Sequence, residues 1–342
     1  MAMRQGGPRR PWVRRLGATV AAVALAGTGC APGSDPAGPG RLQVVSTVSP
    51  ITNLIQNVGC DRIEVTGIVP EGTNSHTFEP APSDARVMAE ADIVFMNGLH
   101  LEEPTRELAE ANLGEGVPLI LLGDRLLDPE DYIYDFSFPE EKGDPNPHTW
   151  TNPLYAKEYA GIIKDELTRI DRDNAEAYRA NHERLASRMD ELDRLVRQVT
   201  QTVPPENRKL LTYHDSFPYF AREYGWQIIG AIQPSDFSDP TPRDVAALID
   251  QVRQEQVPAI FGSEVFPSPV LEQIASEAGA RYVDDLRDDD LPGENGDPDH
   301  SYWGLMTFDF KTFMGALGGE PSPFDSLPVQ NLCGNATATY RY

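Results

Sequence analysis

Asn174–Gln201 reads NAEAYRANHERLASRMDELDRLVRQVTQ, and the meaning of that stretch decides the fold. Tyr178, His182, Leu185, Met189, Leu192, Val196 and Val199 recur every three or four residues, with charged residues between them. That period predicts one amphipathic helix of about seven turns. His182 lies on the apolar stripe, so it reads as a packed histidine and not as a ligand.

Outward from this helix, short apolar runs alternate with helical patterns on both sides. Upstream, strands are predicted at Leu42–Thr47, Ile63–Val69, Asp92–Met96 and Pro118–Leu122, with helices at Ile51–Val58, Ala81–Glu90, Glu102–Ala111 and Pro153–Ile170. Downstream, strands are predicted at Lys209–Tyr213, Trp226–Ala231, Pro258–Gly262 and Ala280–Val283. The downstream helices are Ser216–Tyr224, one opened by Thr241-Pro242, and Pro269–Ala278. Such alternation predicts parallel sheets covered on both faces. The expected fold is α/β: two lobes with parallel-type sheets flanked by helices, joined by one long rigid helix. The expected boundaries are 41–172 for the first lobe, 173–203 for the linker helix, 204–318 for the second lobe and 319–342 for a tail. Asp128–Pro147, acidic and without periodicity, reads as a long surface loop.

The start of the chain reads as an export signal over residues 1–29. Arg4, Arg9, Arg10, Arg14 and Arg15 precede a short apolar core, Leu16–Ala26, too short for the ~20 residues that span a bilayer. The small-residue run Ala26–Gly29 then leads to Cys30 and resembles the lipobox of bacterial lipoproteins, with Gly27 where leucine is usual. Cys30 is accordingly expected to carry the lipid, and 30–40 to be a flexible tether. The formal charge of −24 repels nucleic acid, which is not an expected partner. Cys60 and Cys333 remain in the mature chain; they either pair as a disulfide or stand unrelated.

The chemistry is carried by His76, His148, His214 and Asp284, spaced by 72, 66 and 70 residues. Three of the six histidines fall on these positions, each where an apolar run gives way to turn-forming residues. Three imidazoles and one carboxylate can close a tetrahedral shell around a divalent cation. In open parallel sheets, ligands collect at the carboxyl edge, and His76, His214 and Asp284 follow predicted strands. His148 lies on the loop before the Pro153 helix. Asp285 is an alternative to Asp284, because only one of two neighbours on an extended strand faces inward. Glu264, at a strand end in FGSEVF, could orient an imidazole or be an ordinary strand-end carboxylate. His100 and His300 carry no assigned role. The run DDDLPGENGDPD, Asp288–Asp299, lacks calcium-loop spacing and reads as a solvated acidic loop.

Five segments resemble the solute-binding lipoproteins of zinc and manganese ABC importers. They are GTNSHTFEP (72–80), ADIVFMNGLHLE (91–102), NPHTWTNP (146–153), TYHDSFPYFAREYG (212–225) and YVDDL (282–286). Order and spacing fit from about Leu42 to Leu317. The resemblance implies metal in the cleft between the lobes, held by His76, His148, His214 and Asp284. It also implies delivery of one zinc or manganese ion to an ABC permease by a non-enzymatic monomer. That monomer would be exported and lipid-anchored at the outer face of the bacterial cytoplasmic membrane. Three departures stand out. Asn74-Ser75 replaces the usual Asp-Pro before His76, relatives carry histidine or glutamate at the place of His214, and no histidine-rich loop occurs in the first lobe. The competing readings are a secreted zinc metallohydrolase and a metal-stabilised surface adhesin. The chain has no H-E-x-x-H helix and no G-x-S-x-G elbow.

Overall fold

Strands β1 (Leu42–Ser46), β2 (Ile63–Gly67), β3 (Ile93–Met96) and β4 (Leu119–Leu121) build the first lobe of the computed structural model. The structure describes residues 40–233, 240–263, 269–334 and 338–340, with the backbone alone at Asp284 and Asp285. The export signal, Cys30 and Glu264 lie outside the described residues. No described helix is long and apolar enough to cross a membrane. A two-residue strand near the C-terminus, β9 (Thr339–Tyr340), joins the four to make a parallel sheet in the order β4-β3-β1-β2-β9. The second lobe holds β5 (Lys209–Thr212), β6 (Gln227–Ala231), β7 (Ala259–Ser263) and β8 (Arg281–Leu286), parallel and ordered β6-β5-β7-β8.

Helices alternate with these strands. In the first lobe they are α1 (Ser49–Gly59), α2 (Asp84–Ala89), α3 (Glu103–Asn112), the short α4 (Leu122–Leu126) and α5 (Pro153–Ile170). The long helix is α6 (Ala175–Thr200), 26 residues and about 39 Å at ~1.5 Å per residue. The second lobe adds α7 (Pro218–Tyr224), α8 (Pro242–Glu255), α9 (Pro269–Ala278) and α10 (Tyr302–Ala316). The predicted stripe of α6 is buried at Tyr178, Leu185, Met189, Leu192, Val196 and Val199, joined by Leu195; it packs on α5, α1 and α10. His182 is half-buried on that helix.

One apolar core runs through both lobes. It takes Ile51 and Leu54 from α1, Ile163 from α5, Leu192 and Val196 from α6, Phe220 from α7 and Phe310 and Phe313 from α10. Helix α10 was not among the predicted elements. Ten of its fifteen residues are buried, so it shows no single apolar stripe for a helical period to reveal. A disulfide joins Cys60, just after α1, to Cys333, and with β9 it fastens the end of the chain to the first lobe.

Two sequence expectations need correction. Asp288, Asp289 and Asp290 are buried, and only Gly293–Asp299 forms the solvated acidic loop. The burial follows from hydrogen bonds: Trp150 Nε1 donates to Asp288 O, Ser49 Oγ to Asp289 O, and Ser75 Oγ to the Asp289 side chain. The segment 128–147 is exposed at Asp128–Asp131 and Glu140–Asp144 but buries Ser137, Phe138, Asn146 and Pro147. Of its side chains, Phe138 and Asn146 fold inward onto the histidines, while Phe136 stays exposed.

Candidate metal centre

The strand ends deliver three histidines to one point. His76 lies on the loop between β2 and α2, His148 just before α5, and His214 just after β5. Two of the loops use the same local device. The backbone N–H of His76 donates to Asn74 Oδ1 at 2.9 Å, and that of His148 to Asn146 Oδ1 at 3.0 Å. Each Asn-x-His turn is a side-chain-closed turn that fixes the histidine two residues on. After His148, Asn152 Oδ1 accepts from Leu154 N and opens α5, with Pro153 in its first turn.

A buried carboxylate steadies the neighbouring turn. Glu102 accepts from Asn97 N, Gly98 N and Thr47 Oγ1, while burial pushes its carboxyl up to about 7. The turn it holds is left-handed at Gly98, Leu99 and His100, with φ of 78°, 52° and 63°. Asn97 in turn donates its side-chain N–H to Pro147 O, beside His148.

The three Nε2 atoms converge. His148 and His214 are 2.8 Å apart, His76 and His148 3.1 Å, and His76 and His214 3.2 Å. Around a tetrahedral ion with bonds of ~2.0–2.1 Å, ligand atoms stand ~3.3 Å from one another, so this triangle fits a small cation. The other ring nitrogens decide the protonation. His148 Nδ1 lies 2.8 Å from Asn146 Oδ1, and His214 Nδ1 lies 2.8 Å from Gln233 Oε1. The Asn146 amide cannot be reversed, because its Nδ2 donates to Asp215 O and to Asp135 Oδ2. His148 therefore carries its proton on Nδ1 and points its Nε2 lone pair at His214, and with the Gln233 oxygen toward its Nδ1 the His214 ring does the same. Without a cation between them that contact is repulsive.

Burial disfavours the charged form of two of the rings. Burial, then His214, holds His76 well below its ordinary value; burial, then His214 and His76, does the same for His148. Neutral imidazole is the form that binds metal. Behind Asn146, Asp215 is held well above the usual carboxylate range by burial and by Asp135, whose own carboxyl is raised by burial. Phe138 lies over the triad, its ring centroid 5.5 Å from that of His76 and 5.8 Å from that of His148. His148 and His214 are buried; His76 is half-buried and, with Phe138 and His100, lines a cavity of about 220 Å³. A cavity of about 610 Å³ lies at the disulfide and includes none of the triad.

Asp284 and Asp285 both lie on β8, which is interrupted just there. Phe261 pairs with Val283 and Ser263 with Leu286, so an extra residue enters β8 between them. A bulge breaks the simple alternation by which one of the two neighbours would face inward. Among the described residues, His76, His148 and His214 form the group whose ligand atoms lie within 4.8 Å of one another. His100 stands outside it, half-exposed and 3.4 Å from Glu103, and His300 is buried 3.5 Å from Glu71. The sequence reading missed Asn146, Gln233, Phe138 and Asp135. The two Asn-x-His repeats were the available sign for Asn146; Gln233 lies 19 residues from its histidine in a stretch with no motif.

Known proteins share this architecture. Manganese-binding lipoprotein MntA of Halalkalibacterium halodurans is 27% identical over 298 residues, covering 86% of this chain and 95% of that protein. The Cd-bound periplasmic metal binding protein from Candidatus Liberibacter asiaticus matches with a TM-score of 0.71 at 26% identity, over 81% of this chain and 100% of that one. The periplasmic zinc binding protein TroA from Treponema pallidum has the same fold, with a TM-score of 0.73 at 24% identity over 81% and 99% of the two chains. The family described as ZnuA, zinc-uptake complex component A, periplasmic, matches residues 44–316, from the first strand to the end of α10. With both lobes, the long helix and all three converging histidines inside that match, the chain belongs to the ZnuA family.

Proposed function

We propose that this protein captures one divalent transition-metal ion, zinc or manganese, and delivers it to an ABC-type membrane importer. The observation that carries the reading is the triangle of Nε2 atoms with two of the Nδ1 atoms at 2.8 Å from amide oxygens. His76, His148 and His214 are the proposed nitrogen ligands, and Asp284 the proposed carboxylate, with Asp285 its alternative. Four protein ligands favour holding an ion over activating a water on it, which fits a carrier and not an enzyme. A nitrogen-rich shell ranks Zn²⁺ above Mn²⁺ in intrinsic affinity.

The proposed organisation is a signal peptide over 1–29, a lipid-anchored tether over 30–40, lobes at 41–172 and 204–318 about the helix 173–203, and a tail over 319–342. Cys30 would anchor the monomer at the outer face of the cytoplasmic membrane, beside the permease. Ligands from both lobes tie occupancy to the relative position of the lobes. The core common to them supports a small tilt over a wide hinge motion.

Titration of the metal-free full chain by calorimetry, with chelator competition, tests the reading. The expected result is one tight Zn²⁺ or Mn²⁺ per chain, lost in His148→Ala. No uptake, or several weak sites, would overturn it.

A further inference from the structure

The half-buried histidine of the triad sits on a loop that the second lobe grips from outside the metal centre. Ser75 Oγ donates to Asp289 Oδ2 at 2.7 Å, and Gly72 N donates to Asp290 Oδ2 at 2.5 Å. Both carboxylates follow β8, the strand that carries Asp284 and Asp285. The same short segment is pinned to the first lobe through its backbone, with Ser49 Oγ on Asp289 O at 2.7 Å and Trp150 Nε1 on Asp288 O at 3.2 Å. Ser216 Oγ, two residues beyond His214, donates to Asp288 Oδ1.

From this we propose that Asp289 and Asp290 are positioning residues that latch the His76 loop closed and so set the rate at which metal leaves. The inference rests on the proposed metal-binding reading. His148 and His214 are buried and oriented by Asn146 and Gln233, whereas His76 lines the cavity and sits on the 68–83 loop between β2 and α2. An ion has to leave past the ligand that borders the opening, and that is His76. The latch fastens that loop at two points, one and four residues before His76. Carboxylates are costly for a purely structural role here. Asp289 Oδ1 has no hydrogen-bond partner among the described residues, and the Glu71 carboxyl is raised by burial and then by the nearby Asp290. An unsatisfied buried acceptor carries a desolvation cost in the closed state, which lowers the cost of letting the loop go.

Release of Zn²⁺ from the loaded full chain into excess chelator, followed by stopped flow, tests the latch. Asp289→Ala and Asp290→Ala should each speed release by roughly tenfold or more, the scale of one lost hydrogen bond to a carboxylate. Association should change little. Asp289→Asn, which keeps an oxygen for Ser75 Oγ, should restore slow release, and Ser75→Ala should copy Asp289→Ala. Release rates unchanged in both alanine variants would overturn the latch, as would an equal acceleration in Asp289→Asn. If Asp289→Ala does not fold, Ser75→Ala decides alone. Failure of the wild-type chain to take up Zn²⁺ is a separate result, which removes the metal-binding reading itself.

Discussion

His148 Nε2 stands 2.8 Å from His214 Nε2 while an amide oxygen, from Asn146 and Gln233 respectively, lies 2.8 Å from the Nδ1 of each ring. The amides fix which nitrogen is bare and which way it points. Removing one leaves its ring free to rotate or to take the other tautomer. Asn146→Ala or Gln233→Ala should therefore weaken Zn²⁺ binding by about 10–100-fold. Competition against a chelator of known affinity measures this, and unchanged affinity would show that the amides do not orient the ligands.

Metal affinity should resist mild acid. His76 and His148 are held below their ordinary 6.5 chiefly by burial, so protons compete for these two ligands only at lower pH. Zn²⁺ affinity should stay nearly flat as pH falls to about 6.5 and drop beneath it. A steep loss already between about pH 7.5 and 6.5 would contradict neutral, buried rings.

The interlobe carboxyls make an opposite demand on the fold. Burial raises Asp290 from 3.8 to about 7, Asp289 to about 6 and Glu71 from 4.5 to about 7. A carboxyl raised on folding binds its proton more tightly in the folded chain. Its contribution to stability is thus complete below about pH 4 and disappears as pH rises through about 7. Thermal unfolding of the metal-free protein at several pH values should show that loss, and Glu71→Gln with Asp290→Asn should flatten it. An identical pH profile in the double variant would assign the dependence to other groups.

The fold was readable where one period dominates, and less so where burial is complete. Apolar strands such as IVFM at Ile93–Met96, and the stripe of α6, project their environment directly into sequence. Helix α10 is buried nearly all round, so its residues carry no contrast between faces. The three histidines stood out because turn-forming residues flank them. Their supports did not. Gln233 is an ordinary polar residue until β6 brings it to His214, and Asp288–Asp290 look solvated until Ser49, Ser75, Gly72 and Trp150 supply donors from distant parts of the chain. Tertiary partners set those environments, and local sequence does not encode them.

The Cys60–Cys333 bridge closes a loop of 273 residues, which strongly restricts the unfolded chain. Other contacts hold the same tail: Asn331 Oδ1 accepts from Asn53 and Asn57, and Leu332 N donates to Asn57 Oδ1. Cys60→Ser with Cys333→Ser should therefore fold with its tail in place yet lose about 3–5 kcal/mol, chiefly through the unfolded state. Denaturant unfolding of the two proteins measures the difference. Equal midpoints would mean that the bridge adds nothing beyond the polar contacts.

Phe313 of α10 links the second lobe to the common core. Its ring lies 5.7 Å from Phe217, 5.4 Å from Phe220, 5.3 Å from Trp226 and 5.8 Å from Phe310, and the cluster continues into α1, α5 and α6. Lobes that share one core should unfold together. Phe313→Ala should cost about 3–5 kcal/mol and shift a single transition seen equally by fluorescence and circular dichroism. Two separated transitions in the wild-type protein would mean that the lobes are independent bodies, and the small-tilt mechanism would lose its physical basis.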